Sequence, residues 1–441
     1  MSAGDPIPAP KRIAASLAIV AAMWLMYAGG KHELANYYAL SSNPEDWERA
    51  TRIEPDNPEI WYRLGRFRHL DFDNADVPSA ITYYRRAEQL NARSPYYKLD
   101  LADALEIQGD DSAADASFRA AEAAYPISPE VSWKYGNFLL RQNRMPEAFA
   151  EIHRAILTDP SLTSLAVSRV WHSNPDIHLL LDQVLPATPA AYQQALSFLT
   201  DAGDTESAIE VWNRLIAKDP HPDMKWTVAL TDLLVKQEKF DDAATVWRQA
   251  TGFTLDSSKG SLVYDGGFER DVCGGGFCWQ QKNVQGADFD FDPDERHSGE
   301  RSARLTFDGS TNLEYEDLFQ YVLVSPNTRY HLQGYLHTDG ISTDSGMRFE
   351  VLDPVDARRL DVLTANVTGT EPWMLEQADF TTGSNMRRVL VRVTRKHSEH
   401  LDNKIRGTAW IDDVAIFPAG TSSAENRPQP GNPGVKPAEA K

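Results

Sequence analysis

The two cysteines of the chain, Cys273 and Cys278, could form a disulfide. The residues between them are Gly-Gly-Gly-Phe, and a glycine-rich gap of this length can close into a small loop in an oxidising compartment. A metal site is the weaker alternative, because two thiolates at this spacing need two further ligands and the sequence has no second cysteine pair. Two free thiols are the third possibility. The spacing favours the disulfide.

Catalytic motifs that can be recognised from spacing are absent from the sequence. We find no nucleophile elbow, no phosphate-binding loop and no two-histidine zinc helix. Carboxylates such as those of Asp288, Asp290 and Asp292 are so numerous that no pair stands out as a glycosidase pair. We therefore expect no enzymatic activity, and a glycan hydrolase is the least favoured alternative.

The charge balance argues against a nucleic-acid partner. The 441 residues include 44 Lys and Arg against 64 Asp and Glu, for a formal net charge of −20. No basic cluster is longer than Lys11-Arg12 or Arg387-Arg388, whereas binding of a phosphate backbone requires a concentrated positive surface. The length exceeds what one ordinary core accommodates, so we expect two or more folded units.

Small and bulky residues recur with a fixed period in the first half of the chain. A period of 34 residues, with small residues where helices touch and a proline closing each unit, is typical of stacked helix pairs. The positions are Ala80, Ala114 and Ala148, then Tyr84, Phe118 and Ile152, and then Ala87, Ala121 and Ala155. On these positions the chain resembles the tetratricopeptide repeat family over about half its length, which implies an all-α helical-repeat solenoid.

We place the repeat domain at residues 34–252, beginning with a half-repeat. Between Ala148 and Ala208 the spacing shortens, and we expect one abbreviated helix pair at 165–172 and 176–185. The resemblance implies a concave face that docks a protein partner. Basic residues on this face would suit an acidic ligand, or they could simply solvate the helices. The candidate groove residues, taken as exposed, are Tyr62, Arg66, Lys98, Lys134 and Arg141.

The N-terminal region has the pattern of a membrane-targeting segment. A polar tail at 1–12 precedes an uncharged apolar run at 13–30, which just reaches the length of a spanning helix. We favour an uncleaved transmembrane anchor over a cleavable signal peptide, and both over a buried soluble helix. The basic residues before the run predict a cytoplasmic tail, an inner-membrane location and a periplasmic or extracellular bulk of the chain.

After residue 252 the apolar period changes from that of a helix to that of a strand. Short alternating segments separated by Gly, Asp, Ser and Pro indicate an all-β antiparallel sandwich at 260–418. Four segments stand out in this region: Asp265–Glu269, His297–Ser302, Tyr321–Tyr330 and Trp410–Val414. Together they resemble the jelly-roll family of carbohydrate-binding modules and galactose-binding-like domains.

This resemblance implies a structural calcium ion. The early glutamate and the late aspartates of the family match Glu269, Asp412 and Asp413, whose oxygens suit calcium. The alternative is that one aspartate caps a strand and the other is solvated.

Sugar recognition needs aromatic faces and a few polar groups in a groove. We predict Trp279 and Tyr315 as the exposed pair, with Tyr321 and Trp373 as further candidates. For each of them a place in the core is the alternative.

The segment 419–441 is rich in Pro, Gly, Ser and Ala and is predicted to be disordered. The whole arrangement resembles tetratricopeptide proteins of the acidobacterial type, which implies a membrane-anchored exported adaptor linked to surface polysaccharide assembly or export. The alternative is a protein-binding scaffold that does not bind sugar.

Overall fold

The structure is a computed structural model that describes residues 9–41, 43–73, 75–254 and 260–419. The chain divides into two compact units, Met1–Ala187 and Thr188–Lys441. The predicted disordered tail lies outside the described residues apart from Ala419, and the predicted cytoplasmic tail lies outside them up to residue 8.

The first helix, α1 (Ala9–Ala39), extends well past the predicted apolar run at 13–30. Its segment Ile13–Ala39 is long and apolar enough to be a transmembrane span or a signal sequence. The last turns of α1 behave differently, because Ala35 and Ala39 are buried against Ala50 and Ile60 of the next two helices. The leading half-repeat has only one helix of its own, α2, and the end of α1 packs against it as the first helix of the pair.

The remainder of the first unit consists of antiparallel helix pairs. Several of these helices begin with proline in the first turn and a polar residue that caps it, such as Asn57, whose Oδ1 accepts the Glu59 N–H. The helices are α2 (Pro44–Ile53), α3 (Pro58–Leu70), α4 (Val77–Leu90), α5 (Pro95–Gln108), α6 (Asp111–Ala124), α7 (Pro129–Arg141), α8 (Met145–Thr158), α9 (Thr163–Ser173) and α10 (Ile177–Leu179), which continues as a π-helical turn (Leu180–Val184).

The 34-residue ladder is the contact surface within these pairs. Ala80, Ala114 and Ala148 are fully buried. Gly65 on α3 permits close approach, since a Cβ there would lie 2.7 Å from the ring of Tyr84 on α4. Small residues at these positions let neighbouring helices pack backbone to side chain, and the bulky partner fills the space.

The second unit contains both helices and sheets. Its helices are α11 (Pro189–Ala202), α12 (Thr205–Lys218), α13 (Met224–Lys236) and α14 (Phe240–Thr251). Secondary structure changes after residue 252, yet the compact unit begins at Thr188. The reason is that α13 and α14 pack against the β-region, for example through Trp247, whose ring centroid lies 5.5 Å from that of Phe277.

Two antiparallel five-stranded sheets form the β-sandwich. One has the order β1-β4-β9-β6-β7 and the other β2-β3-β10-β5-β8. Their inner faces carry alternating apolar side chains that form one core. The strands are β1 (Gln280–Gln281), β2 (Ala287–Asp292), β3 (Ser302–Asp308), β4 (Tyr315–Leu323), β5 (Arg329–Ile341), β6 (Arg348–Leu352), β7 (Asp361–Leu363), β8 (Gly369–Thr381), β9 (Arg388–Arg395) and β10 (Arg406–Pro418).

Candidate functional site

A continuous row of polar and aromatic side chains crosses the outer face of the β2-β3-β10-β5-β8 sheet. Strand register places Arg304 of β3 beside Trp410 of β10, and Trp410 beside His337 of β5. Trp373 of β8 completes the row, with its ring centroid 5.7 Å from that of His337. We call Arg304, Trp410, His337 and Trp373 the Trp410 row. All four are partly exposed, so the row presents ring surface to solvent.

Hydrogen bonds fix the rings of the Trp410 row in place. The imidazole of His337 stacks on the indole of Trp410 with centroids 4.7 Å apart and planes at 22°. The indole N–H of Trp410 donates to Asp292 Oδ2 at 2.9 Å, and that of Trp373 donates to Glu295 Oε1 at 3.1 Å. Each indole therefore has its polar edge satisfied, and each keeps part of its ring surface exposed, although His337 covers one face of Trp410.

One flank of the row is bounded by the loop between β2 and β3. The His297 ring stacks on Tyr335 with centroids 3.5 Å apart, and its Nδ1 lies 2.7 Å from Asp413 Oδ2. Asp412 Oδ2 accepts the backbone N–H groups of His297 and Ser298, both at 2.9 Å. These bonds hold the loop against the sheet, so that it forms a wall beside the aromatic row.

At the Arg304 end of the row lies a cluster of ion pairs. Arg304 donates to Asp290 Oδ2 at 3.0 Å and to Asp292 Oδ2 at 3.2 Å. The pKa of Asp292 is lowered, since its hydrogen bonds from Trp410 and two backbone N–H groups, together with the nearby Arg304, outweigh the effect of burial. The carboxylate thus stays ionised and anchors both neighbours.

The prediction that Trp279 and Tyr315 form an exposed pair is wrong. Trp279 is 2% exposed, stacks on Phe268 and donates its indole N–H to the Asp265 carbonyl at 3.0 Å. Tyr315 is 1% exposed and packs edge-to-face on Phe307. Both belong to the core between the sheets. Polar flanking residues suggested exposure, but in a strand the neighbours of an inward side chain point outward.

The other two aromatic candidates lie on different sheets. Tyr321 is on β4, on the opposite sheet from the Trp410 row, where the Arg388 guanidinium lies 5.6 Å from its ring centroid. Trp373 belongs to the Trp410 row. The structure therefore separates the four predicted sugar-binding residues, and only Trp373 lies in the site.

Sequence reasoning missed Trp410 and His337 in this role. The signal was present in β5, where His331, Gln333, Tyr335 and His337 alternate with inward apolar residues. An alternating strand whose outward positions carry rings and amides, instead of charges, indicates a surface with a purpose other than solubility.

The three predicted calcium ligands lie around one loop. A Cβ on Gly267 would have Oδ1 of Asp412 and of Asp413 each 3.7 Å away, and Cγ of Glu269 at 3.8 Å. Glu269 Oε1 accepts the Glu300 N–H at 2.9 Å. Burial raises the pKa of Asp412 to about 6. Carboxylate oxygens are the type of ligand that calcium prefers, but among the described residues no three His, Cys, Asp or Glu side chains are arranged to hold a metal.

The two cysteines are joined as a disulfide with Cα atoms 5.8 Å apart, and the loop that they close contacts α13 and α14. The Gly276 N–H donates to Asp232 Oδ1 at 2.8 Å. Gly276 has a φ of +58°, and a Cβ there would overlap the ring of Trp247. The glycines of the loop are therefore required for close packing on the helices as well as for the turn.

The predicted groove residues lie on α3, α5 and α7, and acidic side chains of α5 pair with most of them. Lys134 Nζ lies 2.8 Å from Asp103 Oδ2 and 3.3 Å from Asp100 Oδ1. The other pairs are Tyr62 with Asp100 at 2.8 Å, Arg66 with Asp100 at 3.5 Å and Arg141 with Glu106 at 2.5 Å.

Lys98 is not an exposed groove residue as predicted. It is 6% exposed, donates to the Ala92 carbonyl at 2.7 Å and pairs with Glu88 at 3.1 Å. Its long apolar stem packs within the helix pair and its ammonium group is satisfied locally.

Comparison with known proteins identifies the helical repeats. A tetratricopeptide repeat family model matches residues 69–126 and 99–161. No curated protein sequence matches the chain.

Similar solved structures fall into two groups. One group includes a "Family 16 Carbohydrate Binding Module-2" (19% identity, 35% of this chain and 99% of that chain, TM-score 0.26). It also includes a xylan-binding CBM22-1 domain from Paenibacillus barcinonensis (15% identity, 36% and 95%, TM-score 0.25). The other includes MamA (15% identity, 40% and 86%, TM-score 0.26). Likenesses at this level carry no conclusion about what the chain binds. The helical region of the chain carries tetratricopeptide repeats, and an all-β region of two antiparallel sheets follows it in the sequence.

Proposed function

We propose that the chain is a membrane-anchored, exported adaptor that binds carbohydrate on the Trp410 row and a protein partner through its repeats, in the assembly or export of a surface polysaccharide. The observation that carries the carbohydrate part is the row itself. It combines two indole rings, a stacked imidazole and a guanidinium at the centre of a sheet face. In this proposal the role is binding, not catalysis.

The chemistry of the row suits a sugar ring. Pyranose rings present C–H faces that stack on aromatic side chains, and hydroxyl groups that need fixed donors and acceptors. Trp410 and Trp373 supply faces. Glu295, Arg304 and Asp290 supply the polar groups along their edges. Because hydrogen bonds and ion pairs already fix these groups in the free protein, binding would cost little side-chain entropy.

We expect Trp410→Ala to weaken glycan binding by about ten- to a hundredfold, since loss of one stacked aromatic removes about 1–3 kcal/mol in comparable platforms. The full chain, held in a detergent without a sugar headgroup, would be titrated with a panel of neutral oligosaccharides by calorimetry. Trp373→Ala is expected to act in the same direction.

Tyr321→Ala is the matched control for this experiment. It removes a partly exposed aromatic of the same sandwich from the opposite sheet, so binding should be unchanged. Equal affinity of the wild-type and Trp410→Ala chains, with both folded, would show that the row is not the site.

The repeat part of the proposal rests on the face formed by α3, α5 and α7. Its charged groups are already paired with one another, as with Lys134 between Asp100 and Asp103. A partner therefore gains little from charge alone and would be recognised mainly by shape and hydrogen bonding. We place the anchor α1 in the inner membrane, with the repeats and sandwich on the periplasmic side. We propose no nucleic-acid partner.

A scaffold that binds protein only is the second candidate. The disulfide loop packs on α13 and α14 through Gly276, which shows that one surface of the β-region is used for helix contact. Recovery of a protein partner through the outer sheet face, without glycan binding, would favour this function.

We also propose that Glu269, Asp412 and Asp413 take up calcium. If so, saturating calcium should raise the midpoint of thermal unfolding, because a ligand at a hundred times its Kd adds about 2.7 kcal/mol to the free energy of unfolding. The measurement compares the full chain in calcium and in chelator. Glu269→Gln should remove the difference, whereas Asp271→Asn, an exposed neighbour, should keep it. Identical midpoints for the wild-type chain would exclude a structural ion here.

A further inference from the structure

A second registered row runs beside the Trp410 row, two residues further along each strand. Strand pairing aligns Asp288 of β2 with Thr306 of β3, Thr306 with Thr408 of β10, and Thr408 with Asp339 of β5. We call these four residues the Thr408 row. Carboxylates thus stand at both ends of a stretch whose centre is formed by two threonines.

The carboxylates of this second row have no cationic partner among the described residues. Asp288 and Asp339 are both exposed. The only side-chain bond to either of them joins the Thr370 hydroxyl to Asp339 Oδ1 at 3.3 Å, within the described ranges. On the opposite flank of the Trp410 row, Glu295 is 45% exposed, accepts the indole N–H of Trp373 and lies 4.0 Å from the His337 ring, which adds at most one positive charge.

The cations of this sheet face do not balance these charges. Arg304 is already shared by Asp290 and Asp292. Arg406 lies one further step along β10, paired in register with Asp308, which carries its own negative charge. A ligand on the Trp410 row therefore lies between carboxylates on both flanks, and the potential there is negative.

We propose that this face selects glycans that carry protonated amino groups, of the glucosamine type, over neutral glycans of equal length, and rejects uronic-acid glycans. The inference rests on the proposed carbohydrate function and adds the class of sugar. An ammonium group on a ring stacked against Trp410 comes within reach of the flanking carboxylates. A sugar carboxylate in the same position meets charge of its own sign.

The test is calorimetric titration of the full chain, in a detergent without a sugar headgroup, at about pH 6, where sugar amines are protonated and the exposed carboxylates of this face remain ionised. Three probes of equal length are compared: a β-1,4-glucosamine oligomer, its N-acetylated neutral counterpart and a galacturonic acid oligomer. We expect the amine oligomer to bind about tenfold more tightly than the neutral one, as two partly exposed ion pairs would give. The uronic oligomer should not bind measurably.

The double variant Asp288→Asn, Asp339→Asn should bring the ratio of the two affinities close to one and leave the neutral affinity unchanged. Added salt should lower the same ratio, because exposed charges are screened. Asp379→Asn is the control. Asp379 lies on β8 of the same sheet but is already paired with Arg329 and His331, so its loss should leave the ratio as it was.

Two failures can be told apart. Neutral binding that depends on Trp410, with a ratio near one in the wild-type chain or unchanged in the double variant, overturns the amine preference and leaves the carbohydrate function standing. Absence of binding to all three probes by a folded chain overturns both.

Discussion

Replacing Trp247 by alanine should lower the free energy of unfolding of the second unit by about 3–5 kcal/mol, as is usual for a fully buried tryptophan. Trp247 is 0% exposed on α14, and its ring lies edge-to-face with Tyr264 and Phe277, with centroids 5.3 and 5.5 Å away. Gly276 of the disulfide loop also abuts it. The cavity would therefore open where helix and β-region meet, which lets each move without the other.

The measurement is chemical unfolding of the full chain together with hydrogen exchange of the amides around residues 273–278. Exchange there should become faster in Trp247→Ala. Trp226→Ala is the matched control, a tryptophan on the adjacent helix α13 that is only partly buried. If Trp247→Ala unfolds at the same denaturant concentration as Trp226→Ala, the contact does not couple helices and sandwich.

Replacing Arg395 by methionine should have an effect of similar size, about 3–5 kcal/mol, because it removes a charged donor group from a fully buried site and leaves its acceptors without partners. Arg395 is 0% exposed at the end of β9. Burial lowers its pKa from the usual value. Its guanidinium donates to the acceptors Ser345 O, Thr343 Oγ1, Asn312 Oδ1, Leu313 O and Asn403 O.

These acceptors belong to three separate loops, so the Arg395 side chain connects three loops of the sandwich by hydrogen bonds. Arg395→Lys keeps the charge but not the planar set of donors, and should recover only part of the lost free energy. Arg388→Met is the control, since Arg388 lies on the same strand, is partly exposed and has its guanidinium over the ring of Tyr321. A loss of less than about 1 kcal/mol in Arg395→Met would mean that solvent replaces these bonds.

The fold was predictable where residues repeat. Ala80, Ala114 and Ala148 mark helix contacts because the same steric requirement returns in each pair, and the structure buries all three. The end of α1 was not predictable in this way. Lys31-His32-Glu33 interrupts the apolar run, yet these polar residues suit a helix and do not break it, so hydropathy stops where the helix continues.

The site was less predictable, because it depends on pairing between distant strands. Trp410 and His337 are 73 residues apart in sequence, and only the β5–β10 register brings their rings together. Trp279 was assigned to the surface from its neighbours in sequence, whereas its contacts with Phe268 and Asp265 come from the closing of the sandwich. Likewise, the cysteine spacing predicted a closed loop but could not show that Asp232 would accept a hydrogen bond from that loop.

The continuity of α1 sets a height above the bilayer if the helix is an anchor, as we propose. Residues 31–39 add about 13 Å of helix beyond the predicted apolar run, at 1.5 Å per residue. Ala35 and Ala39 are buried against Ala50 and Ile60, so this extension is also part of the first repeat. Between residues 30 and 39 the described helix continues without a break into the first repeat. A partner bound by α3 and its neighbours would then be held at a fixed distance from the membrane and at a fixed tilt. An insertion of glycines after Gly30 would make both the distance and the tilt variable.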